Sequence, residues 1–554
     1  MKIIIIFAAI LLFVYHPIFS QGSVLLVGGG QEDYHDWSDI PYGWFVQKAD
    51  SGKIINIDVS TVSSWYPAYF KWLGAASTSH EYQISNRIAA NDSATYDELI
   101  SARGIFIEGG DQWQYVSTWK GTLVEDAIHY VFSHGGVIGG TSAGLAILGE
   151  IVFDAKFGTA YPDQVAYNPY HSRVSFTDDF LHILPHVFTD SHFHTRARLG
   201  RFVPMLARRI QDYSNDDIIG IGVDENTAFC VDNTLTGITY GEGTVTILFK
   251  NDNSYIRAVP GQPPTFTNIK YFQLNHSAAF NLSSRTLVDP GQYLQGWSAP
   301  SPFSPTYSDT ILKGSEASTA ELGEVVIGNL TSNPLNAWHG QLTYRAGTAV
   351  VPHSVIIPEL WNNLDLAENR FIAGMYGIAT HHHFVAIYLD DNTQTPISNE
   401  GVLIADKLLY ILDAYGASHS GFVQFRNTNY PGLIDARLHF LGNGDSYNLT
   451  NHEAMVWIKK INNPQVTTDF ELGQNYPNPF NSATIFNYRI SQCGAVSLEI
   501  YNLNGELVHR INHHFQNAGT HSEVWNASDF PSGVYFYRLE FEKSYISKKC
   551  ILLR

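Results

Sequence analysis

In Gly140-Thr141-Ser142-Ala143-Gly144 a serine stands between two glycines. A strand-like apolar run (Tyr130 to Phe132, then Val137 and Ile138) precedes it, and a helical one (Leu145 to Glu150) follows. This is the pattern of a nucleophile elbow: the glycines permit a strained strand-to-helix turn that lifts the hydroxyl above the sheet edge. A serine hydroxyl attacks only when a base takes its proton, and the base needs a partner that fixes its tautomer. Two downstream segments offer these groups. Asp190-Ser191-His192-Phe193 supplies His192 as the candidate base. Gly222-Val223-Asp224-Glu225-Asn226-Thr227 supplies Glu225, which closes the apolar run from Ile218 to Val223. A carboxylate at a strand end faces the catalytic edge of a parallel sheet.

The order Ser142, His192, Glu225 is not the serine, acid, histidine order of the α/β-hydrolases, which argues against a lipase or esterase. His192 and His194 are two apart and His381-His382-His383 form a run. Neither group has a cysteine or carboxylate partner at metal-binding spacing, so no metal and no cofactor is expected. Gly28-Gly29-Gly30 does not fit the dinucleotide fingerprint and reads as a tight turn near the active site.

These groups need a scaffold. Val24 to Val27, Ile54 to Val59, Gly104 to Ile107 and Gly136 to Ile138 read as strands, with helical segments between them, as around Leu123 to Phe132. Residues 21–290 are therefore expected to form an α/β domain, a doubly wound parallel sheet with helices on both faces. Residues 291–460 repeat parts of it in order, at a spacing of roughly 170 residues. Leu148-Gly149-Glu150-Ile151-Val152 returns as Leu322-Gly323-Glu324-Val325-Val326, Leu184-Pro185-His186 as Val351-Pro352-His353, and Arg201-Phe202 as Arg370-Phe371. Val223 to Thr227 returns as Leu389 to Thr393, and Phe280 to Ser283 as Tyr447 to Thr450. The expectation is a degenerate, partial copy of the domain from the elbow onward. It has lost the chemistry: Glu316 stands for the nucleophile, Trp361 for the histidine, and Asp365 and Ala367 for arginines. Without the opening strands, it must pack on the first domain. A polar linker (461–473) leads to residues 474–554, where alternation in Val496 to Tyr501 and Val534 to Tyr537 and turns at Asn504-Gly505 and Pro531-Ser532-Gly533 predict a small β-sandwich.

The chain has 554 residues, 44% hydrophobic and 15% charged, which means several globular domains. A net charge of -19 disfavours nucleic acid and anionic membranes as partners. Met1-Lys2, an apolar run from Ile3 to Tyr15 and the small Ser20 read as a secretory signal over residues 1–20. No later stretch approaches the roughly 20 apolar residues of a membrane span, so the mature chain is expected to be soluble and exported. Of three cysteines, Cys493 and Cys550 could pair, and Cys230 reads as a buried free thiol.

The elbow, Gly109-Gly110-Asp111-Gln112 and the two downstream motifs together resemble the cyanophycinase family of serine peptidases, relatives of aspartyl dipeptidase, over about residues 22–290. The resemblance implies a class I glutamine-amidotransferase-like α/β fold. It implies Ser142 as nucleophile, His192 as general base and acid, and Glu225 as orienter. The backbone N–H groups of Ala143 and Gly110 would form the oxyanion hole. Gln112, Asp190, Arg196, Arg198 and Arg201 match the family's substrate pocket. The implied substrate is a peptide or a cyanophycin-like polymer, an aspartate backbone carrying arginine on its side chains. The arginines would clamp carboxylates and Asp190 would take the opposite charge. Ser191 departs from the family pattern, which has glutamine there, and so alters the pocket. An aspartyl-dipeptidase-like exopeptidase and a non-catalytic surface binding protein are the alternatives. Gln474 to Asn481, Ile500-Tyr501-Asn502, Ser532-Gly533-Val534-Tyr535 and Lys548 to Leu553 resemble the type A sorting domain of type IX secretion substrates. That implies the type IX machinery as partner, and release or attachment at the cell surface after passage through the periplasm.

Overall fold

The computed structural model describes residues 22–291, 306–328, 337, 341–361, 364–381, 385–425, 428–456, 470–490, 494–502, 507–541 and 544–553. Segment 1–20 and most of the linker lie outside them. The chain divides into two compact units, Met1–Trp457 and Ile458–Arg554.

The first unit opens with β1 (Ser23–Val27), β2 (Ile54–Asp58), β3 (His80–Gln83), β4 (Gly104–Ile107) and β5 (Val137–Thr141), which pair in parallel in the order β1-β5-β4-β2-β3. The central strands are apolar on both faces because both are covered. Leu25 and Val27 pack on Tyr42, Phe45 and Phe70, from the helices Asp39–Lys48 and Trp65–Trp72. Val24 and Leu26 face the cluster of Tyr115, Trp119, Val124 and Ile128, from the helices Gln112–Trp119 and Leu123–Ser133. Tyr130 to Phe132 belong to that last helix and not to a strand. Val124, Ala127, Ile128 and Val131 fall at helical spacing and are all buried.

After Ser142 the helix is short, Ala143–Ala146, and Gly149 and Glu150 open β6 (Gly149–Phe153). A Cβ on Gly149 would lie 2.6 Å from the Val187 carbonyl oxygen, so this glycine serves close strand packing. The chain continues through β7 (Phe176–Thr177), β8 (Leu184–Asp190), β9 (Ile219–Val223), β10 (Thr227–Val231), β11 (Thr236–Gly241), β12 (Val245–Phe249), β13 (Tyr255–Arg257), β14 (Thr265–Leu274), β15 (Ala279–Asn281) and β16 (Thr286–Asp289). Strands β10, β11, β15 and β16 extend the first sheet antiparallel from β1. β6, β8 and β9 run parallel in a second sheet, and β12 and β14 follow antiparallel. The architecture is thus mixed α/β in two sheets and not one wholly parallel sheet, because direct returns such as β10–β11 replace helical crossovers.

Residues 306–456 contribute β17 (Thr310–Lys313), β18 (Gly323–Gly328), β19 (Thr343–Ala346), β20 (Val351–Ile357), β21 (Val385–Leu389), β22 (Gln394–Ile397), β23 (Val402–Ile404), β24 (Leu408–Asp413), β25 (His419–Phe425), β26 (Thr428–Gly442), β27 (Ser446–Asn448) and β28 (Glu453–Met455). β26 pairs antiparallel with β14, so the second sheet runs unbroken as β7-β6-β8-β9-β12-β14-β26-β24-β21-β20-β18-β19. Outward from the β14–β26 seam, both halves pass through two antiparallel pairings and then two parallel ones. The helix Leu199–Tyr213 lies between β8 and β9, and Leu364–His381 between β20 and β21. One apolar cluster spans the seam and joins Phe202, Leu206 and Tyr271 to Phe371, Tyr388 and Tyr410.

Gly314 follows β17 as Gly28 follows β1. β17 lies beside β22 as β1 lies beside β10, and a Cβ on Gly314 would strike the Asp390 carbonyl as one on Gly28 would strike that of Asp224. Glu316 is exposed and pairs with Lys313. Trp361 lies against Gly200, whose Cβ would be 2.2 Å from the indole. Asp365 and Ala367 fall in the Leu364–His381 helix, and His382 and His383 lie outside the described residues.

The second unit is built from strands. One antiparallel sheet holds Phe470–Leu472, Ala483–Ile490 and Gly519–Asn526; the other holds Gly494–Tyr501, Leu507–Gln516, Gly533–Phe541 and Ser544–Leu552. They share one core around Phe486, Trp525, Tyr537 and Leu539. Among the described residues Cys550 and Cys230, the latter in β10, are buried and unpaired with each other; Cys493 lies outside the described residues.

Candidate active site

The elbow forms at the end of β5. Ser142 holds φ 53° and ψ -112°, a strained conformation for a residue with a side chain. Both flanking glycines are needed for close approach. A Cβ on Gly140 would lie 2.4 Å from the Gly144 carbonyl carbon, and one on Gly144 would lie 2.2 Å from the Ile107 oxygen. The Ser142 N–H is tied to the Val27 carbonyl at 3.0 Å.

The three glycines after β1 serve three different contacts. A Cβ on Gly28 would strike the Asp224 carbonyl, one on Gly29 the His192 ring at 2.3 Å, and one on Gly30 the Asn226 amide oxygen at 2.1 Å. This loop therefore seats the histidine and the Glu225 segment together. The His192 N–H donates to the Gly28 carbonyl and the Phe193 N–H to that of Val223. The Phe193 ring occupies the space that Gly222 leaves empty.

On this frame Ser142 Oγ lies 2.7 Å from His192 Nε2, and His192 Nδ1 lies 2.5 Å from Glu225 Oε1. The His192 side chain is 10% exposed and that of Glu225 31%. Burial lowers the imidazole pKa below its ordinary value and outweighs the Glu225 hydrogen bond that raises it; Arg196 and Arg198 push in the same direction as burial. The hydrogen bond from His192 holds the Glu225 carboxyl below its ordinary range. The ground state is a neutral imidazole beside a carboxylate, which suits a base.

The Gly109–Gly110 turn closes over the serine: a Cβ on Gly109 would lie 3.2 Å from Ser142 Cβ. The Tyr115 hydroxyl donates to Asp58 Oδ2 at 2.5 Å and sits against this turn, 3.0 and 3.3 Å from the carbonyl oxygens of Glu108 and Gly109. Among the described residues, the N–H groups of Gly110 and Ala143 have no backbone acceptor.

Beside the serine is a cavity of about 250 Å³, walled by Gln112, Ser191, Arg196 and Arg198 among others. Gln112 donates to the Phe153 carbonyl at 3.3 Å. The residues of the expected pocket divide here. Asp190 is 3% exposed and spends both oxygens on cations. It accepts from Arg198 Nη1 at 2.6 Å and from Arg201 Nε and Nη2 at 2.9 and 2.8 Å. Burial raises its pKa, but Arg198 and Arg201 together hold it below the ordinary range. Asp190 therefore anchors arginines and does not line the cavity. Arg201, which lines the cavity beside Arg198, also donates to the Ala160 carbonyl, and burial brings its pKa down to about 10. Arg196 makes no ion pair among the described residues, and Arg198 keeps part of its guanidinium for the cavity. Ser191 lies within 3.4 Å of Arg198 Nη1.

One brace escaped sequence reasoning. Asp224, fully buried, accepts from the His194 N–H at 3.0 Å and from His194 Nδ1 at 2.8 Å. Its other oxygen accepts from the Thr244 N–H and hydroxyl at 2.8 and 2.5 Å. The signal was present in the adjacent acids of Asp224-Glu225 facing the alternate histidines of His192-Phe193-His194. Among the described residues no group of three or more His, Cys, Asp or Glu side chains is arranged to hold a metal ion.

Residues 43–238 match Peptidase family S51, and residues 474–553 match the Secretion system C-terminal sorting domain, a tail that directs export to the cell surface or the extracellular space. A cyanophycinase of Synechococcus elongatus is 31% identical over 205 residues, 36% of this chain and 59% of the relative. A cyanophycinase of Trichormus variabilis is 26% identical over 282 residues, 49% of this chain and 89% of the relative. This chain thus spans 59% of the length of the first of these. The crystal structure of a peptidase from an acI-B1 Actinobacterium overlaps 47% of this chain and 97% of its own, with 20% identity and a TM-score of 0.33. No described helix is long and apolar enough to cross a membrane.

Proposed function

From a chain that carries a Peptidase family S51 region and a secretion-system sorting tail, we propose a secreted serine peptidase that cuts an amide bond beside a carboxylate-bearing residue. The observation that carries this reading is the unbroken hydrogen-bonded line from Ser142 through His192 to Glu225. His192 Nε2 takes the Ser142 proton as Oγ attacks the substrate carbonyl. Glu225 holds the other ring N–H and stabilises the imidazolium. The N–H groups of Gly110 and Ala143 bind the oxyanion. His192 then returns the proton to the departing amine, and water hydrolyses the acyl-enzyme by the same path in reverse. Arg196 and Arg198 clamp the substrate carboxylate, with Gln112 and Arg201 at the cavity wall and Asp190 fixing the clamp from behind.

The substrate class is an aspartyl or isoaspartyl bond, of which the aspartyl-arginine units of a cyanophycin-like polymer are one example. The small cavity of about 250 Å³ favours a second reading, an exopeptidase restricted to short aspartyl peptides. We further read residues 291–460 as a degenerate copy of the catalytic region, supported by the matching strand succession on both sides of the β14–β26 seam. The sorting tail would be read by the type IX machinery.

The test is incubation of the purified protein with cyanophycin and a panel of aspartyl and isoaspartyl peptides, followed by mass spectrometry. Ser142→Ala run in parallel must abolish cleavage. Equal turnover by the two proteins would refute the triad.

A further inference from the structure

A second and larger depression, about 520 Å³, is lined from the same chain segments as the catalytic cavity. No residue lines both, but the two linings alternate along the same two segments. In the 153–159 loop, Phe153, Ala155, Gly158 and Thr159 line the catalytic cavity, and Asp154, Lys156 and Phe157 line the second groove. In the following wall Gln112 faces the cavity, whereas Trp113, Val116 and Ser117 face the groove. The cavity and the groove therefore lie on the two sides of the 153–159 loop.

The groove is basic in a protein of net charge -19. Arg87 is exposed, and its guanidinium donates only to neutral backbone carbonyls, those of Ser117 and Lys120, at 3.2 and 2.8 Å, and of Gly121. Lys156 is exposed, with its ammonium 5.1 Å from the Trp113 ring centroid and 5.5 Å from that of Phe157. Neither cation has a carboxylate partner among the described residues. The one acid in the lining is spent: Asp154 accepts from the Lys156 N–H, the Ser175 hydroxyl and the Thr177 hydroxyl. Lys120 alone is neutralised, by Asp179. Two uncompensated cations therefore share a cleft of ligand-binding size with an exposed aromatic, Phe157, which is 58% exposed.

We propose that this groove binds an acidic stretch of polypeptide, the continuation of the substrate held in the catalytic cavity. Its carboxylates meet Arg87 and Lys156, and its backbone lies on Trp113 and Phe157. The identity of the bound chain as substrate rests on the peptidase reading; the acidic class rests on the groove.

The experiment measures fluorescence anisotropy of a labelled dodeca-aspartate peptide on the full Ser142→Ala chain, with a Gly-Ser peptide of equal length as control. The unaltered groove binds the acidic peptide and not the control. Lys156→Glu and the double variant Lys156→Glu/Arg87→Glu weaken that binding at least about tenfold. Lys156→Glu alone suffices if the Arg87 change, which removes donors from three carbonyls, unfolds the protein. Affinity unchanged within twofold in Lys156→Glu, or no binding by the Ser142→Ala chain, overturns the proposal. Binding that falls on Lys156→Glu in a protein that cleaves no peptide removes the peptidase reading and keeps the groove.

Discussion

The carboxylate of Asp224 grips His194 twice, at its backbone N–H and at its ring, and so fixes the turn that carries His192. Asp224→Asn keeps the size but replaces one acceptor oxygen with a donor that faces N–H and O–H groups. The His192 ring then loses its seat against Ser142. Turnover is expected to fall about a hundredfold, the cost of an ångström-scale misplacement. The comparison of kcat with KM checks this: a loss confined to KM would place Asp224 outside the catalytic alignment.

The pH profile follows from the burial of His192. The base must be neutral to act, and its pKa is lowered from the ordinary value of about 6.5. The acid limb of kcat/KM is therefore expected below that value. Removing a neighbouring cation by Arg196→Gln should move the limb upward. An acid limb at or above the ordinary histidine value would contradict the assignment of His192 as a buried base.

Gly29→Ala tests the seating from the other side. Gly29 holds φ +101°, and the new methyl would lie 2.3 Å from the imidazole. Backbone strain alone costs about 1–3 kcal/mol, and the ring must also move off its line to Ser142. Both a lower melting temperature and a large drop in kcat are expected. A variant that melts lower but keeps full kcat would show that the loop holds the fold and not the histidine.

Asp190 and Arg196 separate stability from binding. Asp190→Asn leaves Arg201 buried without its counter-charge and should destabilise by about 3–5 kcal/mol. Its folded pKa is lowered, so the stability it supplies is complete above the unfolded value of about 3.9 and is lost as pH falls through the folded one. Arg196→Ala should fold normally and raise KM for carboxylate-bearing peptides about tenfold. Denaturant melts and steady-state kinetics on both variants check this, and exchanged phenotypes would reverse the roles.

The three side chains that meet at the elbow, Ser142, His192 and Glu225, were legible in the sequence because their constraints are local. A serine between glycines, and a histidine and a glutamate at strand ends, announce themselves in a few residues each. What was not legible depended on contacts between distant segments. Asp190 read as a pocket anion, but its partners lie 8 and 11 residues on, and only folding shows that it is fully spent. Tyr115, whose hydroxyl sits against the Gly109 turn and meets Asp58 across 57 residues, carries no sequence signal at all. Tyr130 to Phe132 read both as a strand-like run and as the end of a helix from Leu123; the helix forms, because the short apolar run has no visible period while the longer window from Val124 has the helical one. Gly149 ended a predicted helix early for the same reason, since its neighbour across the sheet, Val187, is 38 positions away in sequence.

The seam between β14 and β26 makes the last prediction. β14 pairs along its length with β26, and the cluster around Phe202 and Tyr271 is completed by Phe371, Tyr388 and Tyr410. A fragment ending at residue 290 would expose both a long strand edge and that apolar surface, which favours edge-to-edge association. The helix that follows Arg196 and Arg198 would also lose Trp361 from its contact at Gly200. Such a fragment is expected to aggregate or to self-associate and to lose carboxylate-dependent affinity, whereas the chain through residue 457 remains well behaved. Light scattering and kinetics on the two lengths decide it. A fragment that stays monomeric with unchanged KM would show that the catalytic region needs nothing from the segment after it.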